Sequence, residues 1–201
     1  PPVPLGPRIV AGEGEHPNNH TVVRILSPYQ ICETQFLAYP PEIRGGVGVE
    51  TGVDGKGETF ILSYPLISER AREIRLFSPS GGSKGTIEGP KKLVPPYVVS
   101  MGDYRPELKG EEIAITSRYA STSKPSIYLL SLTGKVLKVI QVPGKTKANY
   151  QREFKLFTKT GGKADQLFVQ NLTAKRAFRL LLQEDATSVD FHASAIGSRL
   201  F

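Results

Sequence analysis

Thr59-Phe60-Ile61-Leu62 is a short apolar stretch that returns three more times along this chain. The other copies are Arg8-Ile9-Val10-Ala11, Glu112-Ile113-Ala114-Ile115 and Gln166-Leu167-Phe168-Val169, and their second residues lie 51, 53 and 54 residues apart. A second strand-like stretch follows each copy, and its central residues (Val23, Ile74, Ile127 and Phe178) are 51, 53 and 51 residues apart. A period of about fifty with several short strands per unit is typical of β-propeller blades, because one small sheet cannot bury its faces alone.

The composition agrees with an all-β protein. Twenty glycines and sixteen prolines among 201 residues separate short runs of β-branched, aromatic and other apolar residues, as expected for strands joined by tight turns. No segment has sustained helical periodicity, and no window has the apolar length of a membrane span. The chain begins Pro1-Pro2-Val3-Pro4 without an initiator Met, which suggests a processed mature form or an excised fragment.

The repeat predicts a single domain over residues 1–201, a β-propeller with four blades of four antiparallel strands. The blades cover roughly residues 8–40 plus 197–201, 45–90, 96–142 and 152–193. Residues 1–7 are too rich in proline to supply the first strand of the first blade. Residues 198–201 are therefore expected to pair alongside residues 8–11 and to close the ring, which removes open sheet edges. The alternative is an open arc of a larger propeller.

The strands are expected at similar places in each blade. They are residues 9–11, 22–26 and 35–39; 46–50, 60–63, 74–77 and 85–87; 97–101, 113–116, 127–130 and 136–140; and 153–157, 167–170, 178–181 and 189–192. Cys32 is the only cysteine, so no internal disulfide can form. Because it lies in a strand-like apolar run, a buried thiol is the expected state and a reactive one the alternative.

One segment resembles a known repeat. Phe36-Leu37-Ala38-Tyr39-Pro40-Pro41-Glu42-Ile43-Arg44-Gly45-Gly46-Val47 is similar to the segment between blades in bacterial FG-GAP-type repeats, and Val22-Val23-Arg24-Ile25-Leu26 to their third strand. The resemblance covers most of residues 8–145 and is most specific over 22–55. It implies a β-propeller that is secreted or exposed on a cell surface, like the integrin α-subunit propellers. It does not imply one activity, because the fold hosts adhesins, structural modules and polysaccharide-cleaving enzymes.

The resemblance also implies calcium-binding loops between the first and second strands of a blade. Calcium needs six to eight oxygen ligands, so several carboxylates must converge in a short loop. The corresponding loops, residues 52–58, 102–111 and 160–165, carry few acids, and Lys56, Arg105, Lys109 and Lys163 lie among them. They are interpreted as degenerate turns without a cofactor, with retained calcium as the alternative.

Candidate catalytic groups are sparse. His16 and His20 share one loop with Glu13 and Glu15 and could hold a metal, but the neighbouring Gly14 and Pro17 favour a solvated hairpin. Glu111-Glu112 and Glu184-Asp185 are neighbours in sequence, and neighbours in a strand point to opposite faces. No catalytic residue and no metal ligand is therefore assigned.

The placement of charge is more informative. The chain has a formal net charge of +7, and the positive excess falls in the loops expected on one face of the propeller. The residues expected to bind an anionic partner are Arg70, Arg72, Lys91, Lys92, Lys145 and Lys147. Such a face could recruit an acidic polysaccharide, an anionic cell envelope or an acidic protein surface, or could simply be a solvated basic surface. Nucleic acid is disfavoured, because basic and aromatic residues are not interleaved.

Two classes of function follow from these patterns. The preferred one is a non-catalytic extracellular propeller for adhesion, recognition or surface and filament assembly, with self-association as one form of it. The alternative is a carbohydrate-active enzyme, a polysaccharide lyase or glycoside hydrolase on a propeller scaffold. Asn19 and Asn171 begin two N-glycosylation triplets, which would be used if the protein is secreted through a glycosylating route.

Overall fold

A computed structural model describes residues 8–68, 70–120, 126–142, 152–161, 163–172, 176–180 and 193–194. These residues form strands, turns and bends, and the strands pair in antiparallel sheets. This part of the chain contains no helix, and therefore no helix that is long and apolar enough to cross a membrane. The chain divides into two compact units, Pro1–Val53 with Glu58–Pro96 and Asp54–Gly57 with Tyr97–Phe201.

The first unit contains two antiparallel sheets in which each strand pairs with its neighbour in sequence. The three-stranded sheet has the order β1-β2-β3, and the four-stranded sheet has the order β4-β5-β6-β7. The strands are β1 (Ile9–Gly12), β2 (Val22–Leu26), β3 (Cys32–Leu37), β4 (Val47–Val53), β5 (Thr59–Pro65), β6 (Glu73–Phe77) and β7 (Ser83–Glu88). Such up-and-down sheets are what short apolar runs separated by tight turns produce.

Apolar side chains from both sheets form the core of this unit. Val23 and Ile25 alternate with half-buried residues along β2 and pack with Val47, Ile61 and Phe77. β5 is buried along nearly its whole length, whereas β3 is mostly exposed. An inner strand covered on both faces and an outer strand with a free edge are expected when small sheets pack side by side.

The second unit repeats this organisation. One sheet has the order β12-β11-β9-β8, and the other has the order β10-β13-β14-β15-β16. The strands are β8 (Tyr97–Gly102), β9 (Glu112–Ser117), β10 (Tyr119–Ala120), β11 (Ser126–Leu130), β12 (Val136–Gln141), β13 (Arg152–Lys159), β14 (Gln166–Asn171), β15 (Arg176–Leu180) and β16 (Ala193–Ser194). Its core joins Ala114, Ile127 and Leu129 of the first sheet to Phe154 and Leu167 of the second.

Most expected strands lie within a residue or two of the observed ones. The outermost strand of the first sheet is shifted, because it spans Cys32–Leu37 rather than residues 35–39. The expectation of a buried Cys32 is wrong, since the thiol is exposed at the start of an edge strand. Residues 189–192 and 198–201 lie outside the described residues.

Three hairpin turns share one hydrogen-bond pattern that the repeat analysis missed. They join β2 to β3, β6 to β7 and β11 to β12, and each begins with a serine: Ser27, Ser78 or Ser131. In each turn the serine N–H donates to the carbonyl four residues later, and the serine Oγ accepts that residue's N–H. Counting the serine as the first residue of the turn, the fourth has a positive φ in all three: 62° at Gln30, 86° at Gly81 and 80° at Gly134. The period therefore extends to the turns as well as to the strands.

Candidate functional site

A charged cavity of about 440 Å³ lies in the first unit. It opens where three connections meet: residues 38–46 between β3 and β4, residues 66–72 between β5 and β6, and residues 89–96 after β7. Its volume falls within the range of small-ligand sites. The lining includes the predicted binding residues Arg70, Arg72 and Lys91.

Tyr39 forms the buried base of the cavity. Its side chain is only 1% exposed, and its hydroxyl lies 2.9 Å from the carbonyl oxygens of both Ser63 and Glu73. A phenol has one hydrogen to donate, so it can bond fully to one of these carbonyls at a time. Burial raises the pKa of the Tyr39 phenol well above its ordinary value. Tyr39 therefore stays neutral and holds two strands together.

Arg75 covers Tyr39 and forms part of the wall. Its guanidinium carbon lies 4.8 Å from the centroid of the Tyr39 ring, within the range of cation–π attraction. Its Nε donates to Glu73 Oε1 at 2.7 Å, and its Nη1 donates to the Ala38 carbonyl at 3.1 Å. The charge of Arg75 is therefore balanced by Glu73, and the pair contributes little net charge to the cavity.

Arg72 holds the loop of residues 89–96 through hydrogen bonds. Its Nη2 donates to the Leu93 carbonyl at 2.8 Å and to the Lys91 carbonyl at 3.3 Å. The backbone carbonyl of Arg72 accepts the N–H of Gly89 at 2.9 Å. The planar guanidinium thus reaches the 89–96 loop from the 66–72 loop and places Lys91 at the cavity.

The remaining charges at the cavity have both signs and do not neutralise one another. Arg70, Lys91, Glu42 and Glu88 are all exposed. Among the residues that the structure describes, none of these four side chains forms an ion pair. With Arg72, Arg75 and Glu73 included, four cationic and three anionic side chains line the cavity. The lining therefore has only a small positive excess.

The structure thus brings together three of the six predicted binding residues. Lys92 is exposed beside Lys91 but does not line the cavity, and Lys145 and Lys147 lie outside the described residues. The sequence analysis missed Tyr39, Glu73, Arg75 and Glu88 as part of this site. The sequence alone carries no signal for Glu88, because its position directly opposite Glu73 depends on the register of the two strands. Two like charges in such positions repel each other unless a third group balances one of them.

In the loops that correspond to the calcium-binding loops of the resembling repeats, and at the neighbouring Glu112, carboxylates accept hydrogen bonds from backbone N–H groups. Asp54 Oδ1 accepts from Lys56 N–H at 2.9 Å, and Asp165 Oδ2 accepts from Asp103 N–H at 3.0 Å. Glu112 Oε2 accepts from Tyr104 and Arg105 N–H, each at 3.0 Å. Burial raises the pKa of Glu112 to about 7. Burial and the neighbouring Asp165 raise the pKa of Asp103 as well.

His16, His20 and Asn19, the last a candidate glycosylation site, take part in local hydrogen bonds. His16 Nδ1 accepts from Asn18 N–H at 3.3 Å, and His20 Nε2 lies 3.0 Å from Arg44 Nη1. No group of three or more His, Cys, Asp or Glu side chains suited to a metal ion occurs within the described parts of the chain. Asn19 is half-buried and its amide donates to the Gly14 carbonyl at 2.9 Å. Asn171 is the last residue of β14.

The exposed charged side chains of the cavity can hydrogen-bond to a polar ligand. Exposed Arg70 and Lys91 can donate to anionic oxygens, and exposed Glu42 and Glu88 can accept from hydroxyl or ammonium groups. The buried Tyr39 and the paired Arg75 are committed to the protein itself. No protein-family model matches this chain, and no curated protein matches it as a relative.

Proposed function

We propose that this protein is a non-catalytic recognition module that binds an anionic partner outside the cell through the cavity at Arg70, Arg72 and Lys91. The observation that carries the proposal is the convergence of these three cationic side chains, from two different loops, on one cavity. Acidic polysaccharide at a cell surface is the partner that we favour. Lys92, beside Lys91, would extend the basic rim.

Preorganisation supports binding at this place. Arg72 is held by the Lys91 and Leu93 carbonyls before any partner arrives, so little side-chain freedom would be lost when it contacts an anion. Arg70 and Lys91 are exposed and lack an ion-pair partner among the described residues. An anion would therefore not have to displace an existing carboxylate from either of them.

The carbohydrate-active enzyme is the less favoured alternative. A lyase that uses a tyrosine as its base would need a phenol that can reach the substrate and lose a proton. The only tyrosine that lines the cavity, within the described residues, is Tyr39, which is 1% exposed and hydrogen-bonded to backbone carbonyls. Burial raises its pKa, which further disfavours proton loss at neutral pH.

The scaffold we propose is a closed four-bladed propeller of FG-GAP-type repeats. Support comes from the antiparallel up-and-down sheets and from the three equivalent turns at Ser27, Ser78 and Ser131. Closure requires residues 198–201 to pair with β1. Deleting residues 197–201 should then lower the melting temperature by several degrees; an unchanged melting temperature would count against closure.

A second candidate function is self-association through the outer edge of β3. This strand ends its sheet, and the exposed apolar side chains at or beside it include Ile31 (65%) and Leu37 (45%). A lysine on an edge strand opposes pairing with another copy. Gln35→Lys should therefore reduce any dimer seen by analytical ultracentrifugation, whereas Thr86→Lys on the exposed side of β7 should not.

The binding proposal is tested by a pull-down against acidic polysaccharides at two salt concentrations. Lys91→Glu/Lys92→Glu should lose retention, and retention of the wild type should fall steeply with salt, because exposed charges act over about 8 Å at physiological ionic strength. Lys135→Glu/Lys159→Glu changes the net charge equally at exposed positions away from the cavity and serves as the control. Equal losses in both variants, or retention that does not depend on salt, would refute binding at the cavity.

A further inference from the structure

The cavity carries acidic as well as basic side chains, and this combination restricts the class of ligand. A cavity of 440 Å³ is about 9 Å across if treated as a sphere, close to the screening length of about 8 Å in physiological salt. A ligand inside it would therefore experience Glu42 and Glu88 as well as Arg70 and Lys91. A site built for a densely charged polyanion would exclude carboxylates from its lining.

We infer that the cavity binds a hydroxyl-rich saccharide with isolated acidic groups, rather than a densely sulfated or phosphorylated polymer. This inference rests on the proposed function and names the ligand class for the same site. One carboxylate of the ligand would face Arg70 and Lys91, which matches the small positive excess of the lining. Neighbouring uncharged sugar units would place hydroxyl groups, not further anions, against Glu42 and Glu88.

Hydroxyl groups suit such a lining because each can donate and accept at once. A sugar hydroxyl can donate to the carboxylate of Glu42 or Glu88 and accept from the ammonium of Lys91. Hydrogen bonds with one ionised partner are shorter and stronger than neutral ones. The exposed fork of Arg72 is already oriented by the Lys91 and Leu93 carbonyls, which lowers the entropic cost of adding a ligand oxygen.

An acidic peptide fits the lining less well. Protein partners gain most of their affinity from a few buried anchors in apolar or aromatic pockets. Here the aromatic Tyr39 is 1% exposed and Ala71 is 7% exposed, so neither offers such an anchor. Polar and apolar surface contribute about equally to the lining, and the half-buried Pro40 and Ile43 supply part of the apolar share. A saccharide matches this mixture, because a sugar ring presents both hydroxyl groups and apolar C–H groups.

The test compares hyaluronan, which has isolated carboxylates and no sulfate, with heparin, which is densely sulfated. Dextran supplies a neutral polymer and poly-L-glutamate an acidic peptide. Glu42→Gln/Glu88→Gln should weaken hyaluronan binding and strengthen heparin binding, changing the ratio of the two affinities by about tenfold. Glu58→Gln/Glu107→Gln alters net charge equally at exposed acids outside the cavity and should leave the ratio unchanged. Arg70→Gln/Lys91→Gln should lose hyaluronan binding.

The outcomes separate the ligand class from the binding function. Loss of hyaluronan binding in Arg70→Gln/Lys91→Gln, with no change of ratio in Glu42→Gln/Glu88→Gln, overturns the ligand class and leaves the binding proposal standing. The same ratio change in the control variant overturns it too, because net charge alone would then explain the result. Tighter binding of poly-L-glutamate than of hyaluronan overturns the saccharide assignment. Equal binding of dextran and hyaluronan, or binding of none of the four polymers, overturns both proposals.

Discussion

The β2–β3 hairpin turns through Ser27-Pro28-Tyr29-Gln30-Ile31, whereas the β6–β7 hairpin turns through Ser78-Pro79-Ser80-Gly81-Gly82. The backbone hydrogen bonds of the two turns are the same. The residue in the left-handed region is glutamine in one turn and glycine in the other. Apart from the shared proline (Pro28 and Pro79), the exposed side chains differ. The repeat therefore preserves backbone geometry at these turns while the exposed chemistry changes.

The connections at the other ends of these strands show the same contrast. The N–H of Ala38 donates to the Thr21 carbonyl, and the N–H of Gly89 donates to the Arg72 carbonyl, each closing an equivalent contact. Thr21 is buried and its hydroxyl bonds to the Tyr39 backbone. Arg72 instead reaches the Leu93 carbonyl and remains exposed to the cavity. The uncharged Thr21 in one sheet is thus equivalent to the charged Arg72 in the next, and Arg72 lines the candidate site.

The largest expected effect is at the glycine of the β6–β7 turn. A Cβ at Gly81 would lie 2.7 Å from Phe36 Cδ1, in addition to requiring a positive φ of 86°. Gly81→Ala should therefore lower the free energy of unfolding by about 2–3 kcal/mol. Gly57→Ala is the matched control, because its φ is 81° with open space around it, and it should cost about 1 kcal/mol. Equal losses in urea denaturation would mean that the Phe36 contact does not matter.

The next effect concerns Glu112, whose carboxylate accepts hydrogen bonds from two backbone N–H groups of the β8–β9 connection. Burial raises the pKa of Glu112 from 4.5 to about 7, so the folded state retains a proton that the unfolded chain loses. Stability should therefore fall as pH rises from about 4.5 to about 7, by about 1–2 kcal/mol.

Glu112→Gln should remove this dependence, because an amide does not titrate. The difference in unfolding free energy between wild type and variant, measured in urea at pH 5 and pH 8, isolates Glu112 from the histidines. Wild type should be the relatively weaker of the two at pH 8. Parallel pH profiles would contradict the assignment.

A smaller effect on stability is expected when the side-chain hydrogen bonds of Arg72 are removed. Arg72→Met keeps the apolar stem but removes the hydrogen bonds to the Lys91 and Leu93 carbonyls, and should cost about 1 kcal/mol. Arg70→Met should cost less than about 0.5 kcal/mol, because no side-chain bond of Arg70 to a described residue is lost. Limited proteolysis should show faster cleavage within residues 89–96 only in the Arg72 variant. Faster cleavage in both would assign the effect to lost charge.

The smallest effect should be a gain. Gln30 adopts a φ of 62°, which strains a residue with a Cβ, so Gln30→Gly relieves that strain at the cost of a more flexible unfolded chain. The net result should be a stabilisation of about 0.5 kcal/mol. Thermal unfolding of the variant beside wild type measures it. A loss of stability would indicate that the Gln30 side chain has a role of its own.

Much of the strand pattern was accessible from sequence because strands bury alternate or continuous apolar residues with a fixed period. The equivalent serines were accessible too, since Ser27, Ser78 and Ser131 are 51 and 53 residues apart. The exposure of Cys32 could not be predicted from the sequence, because an edge strand and an inner strand can carry similar apolar residues. Which strand ends a sheet depends on pairing between distant segments.

The site was accessible only in part. Counting charges in loops identified Arg70, Arg72 and Lys91, because loops of one type open on one side of a sheet. It did not identify Glu88, a strand residue whose position opposite Glu73 depends on register. Nor did it identify Arg75, whose partners Tyr39 and Ala38 come from another sheet connection. Such contacts depend on tertiary packing.

The exposed thiol of Cys32 makes this chain convenient for spectroscopy. Because it is the only cysteine in the sequence and is accessible at the start of β3, a maleimide fluorophore would attach at one defined position without any mutation. Intact mass would verify a single adduct. Anisotropy and self-quenching of that label would then follow tumbling and contact between copies directly, in the same sample used to titrate a polysaccharide.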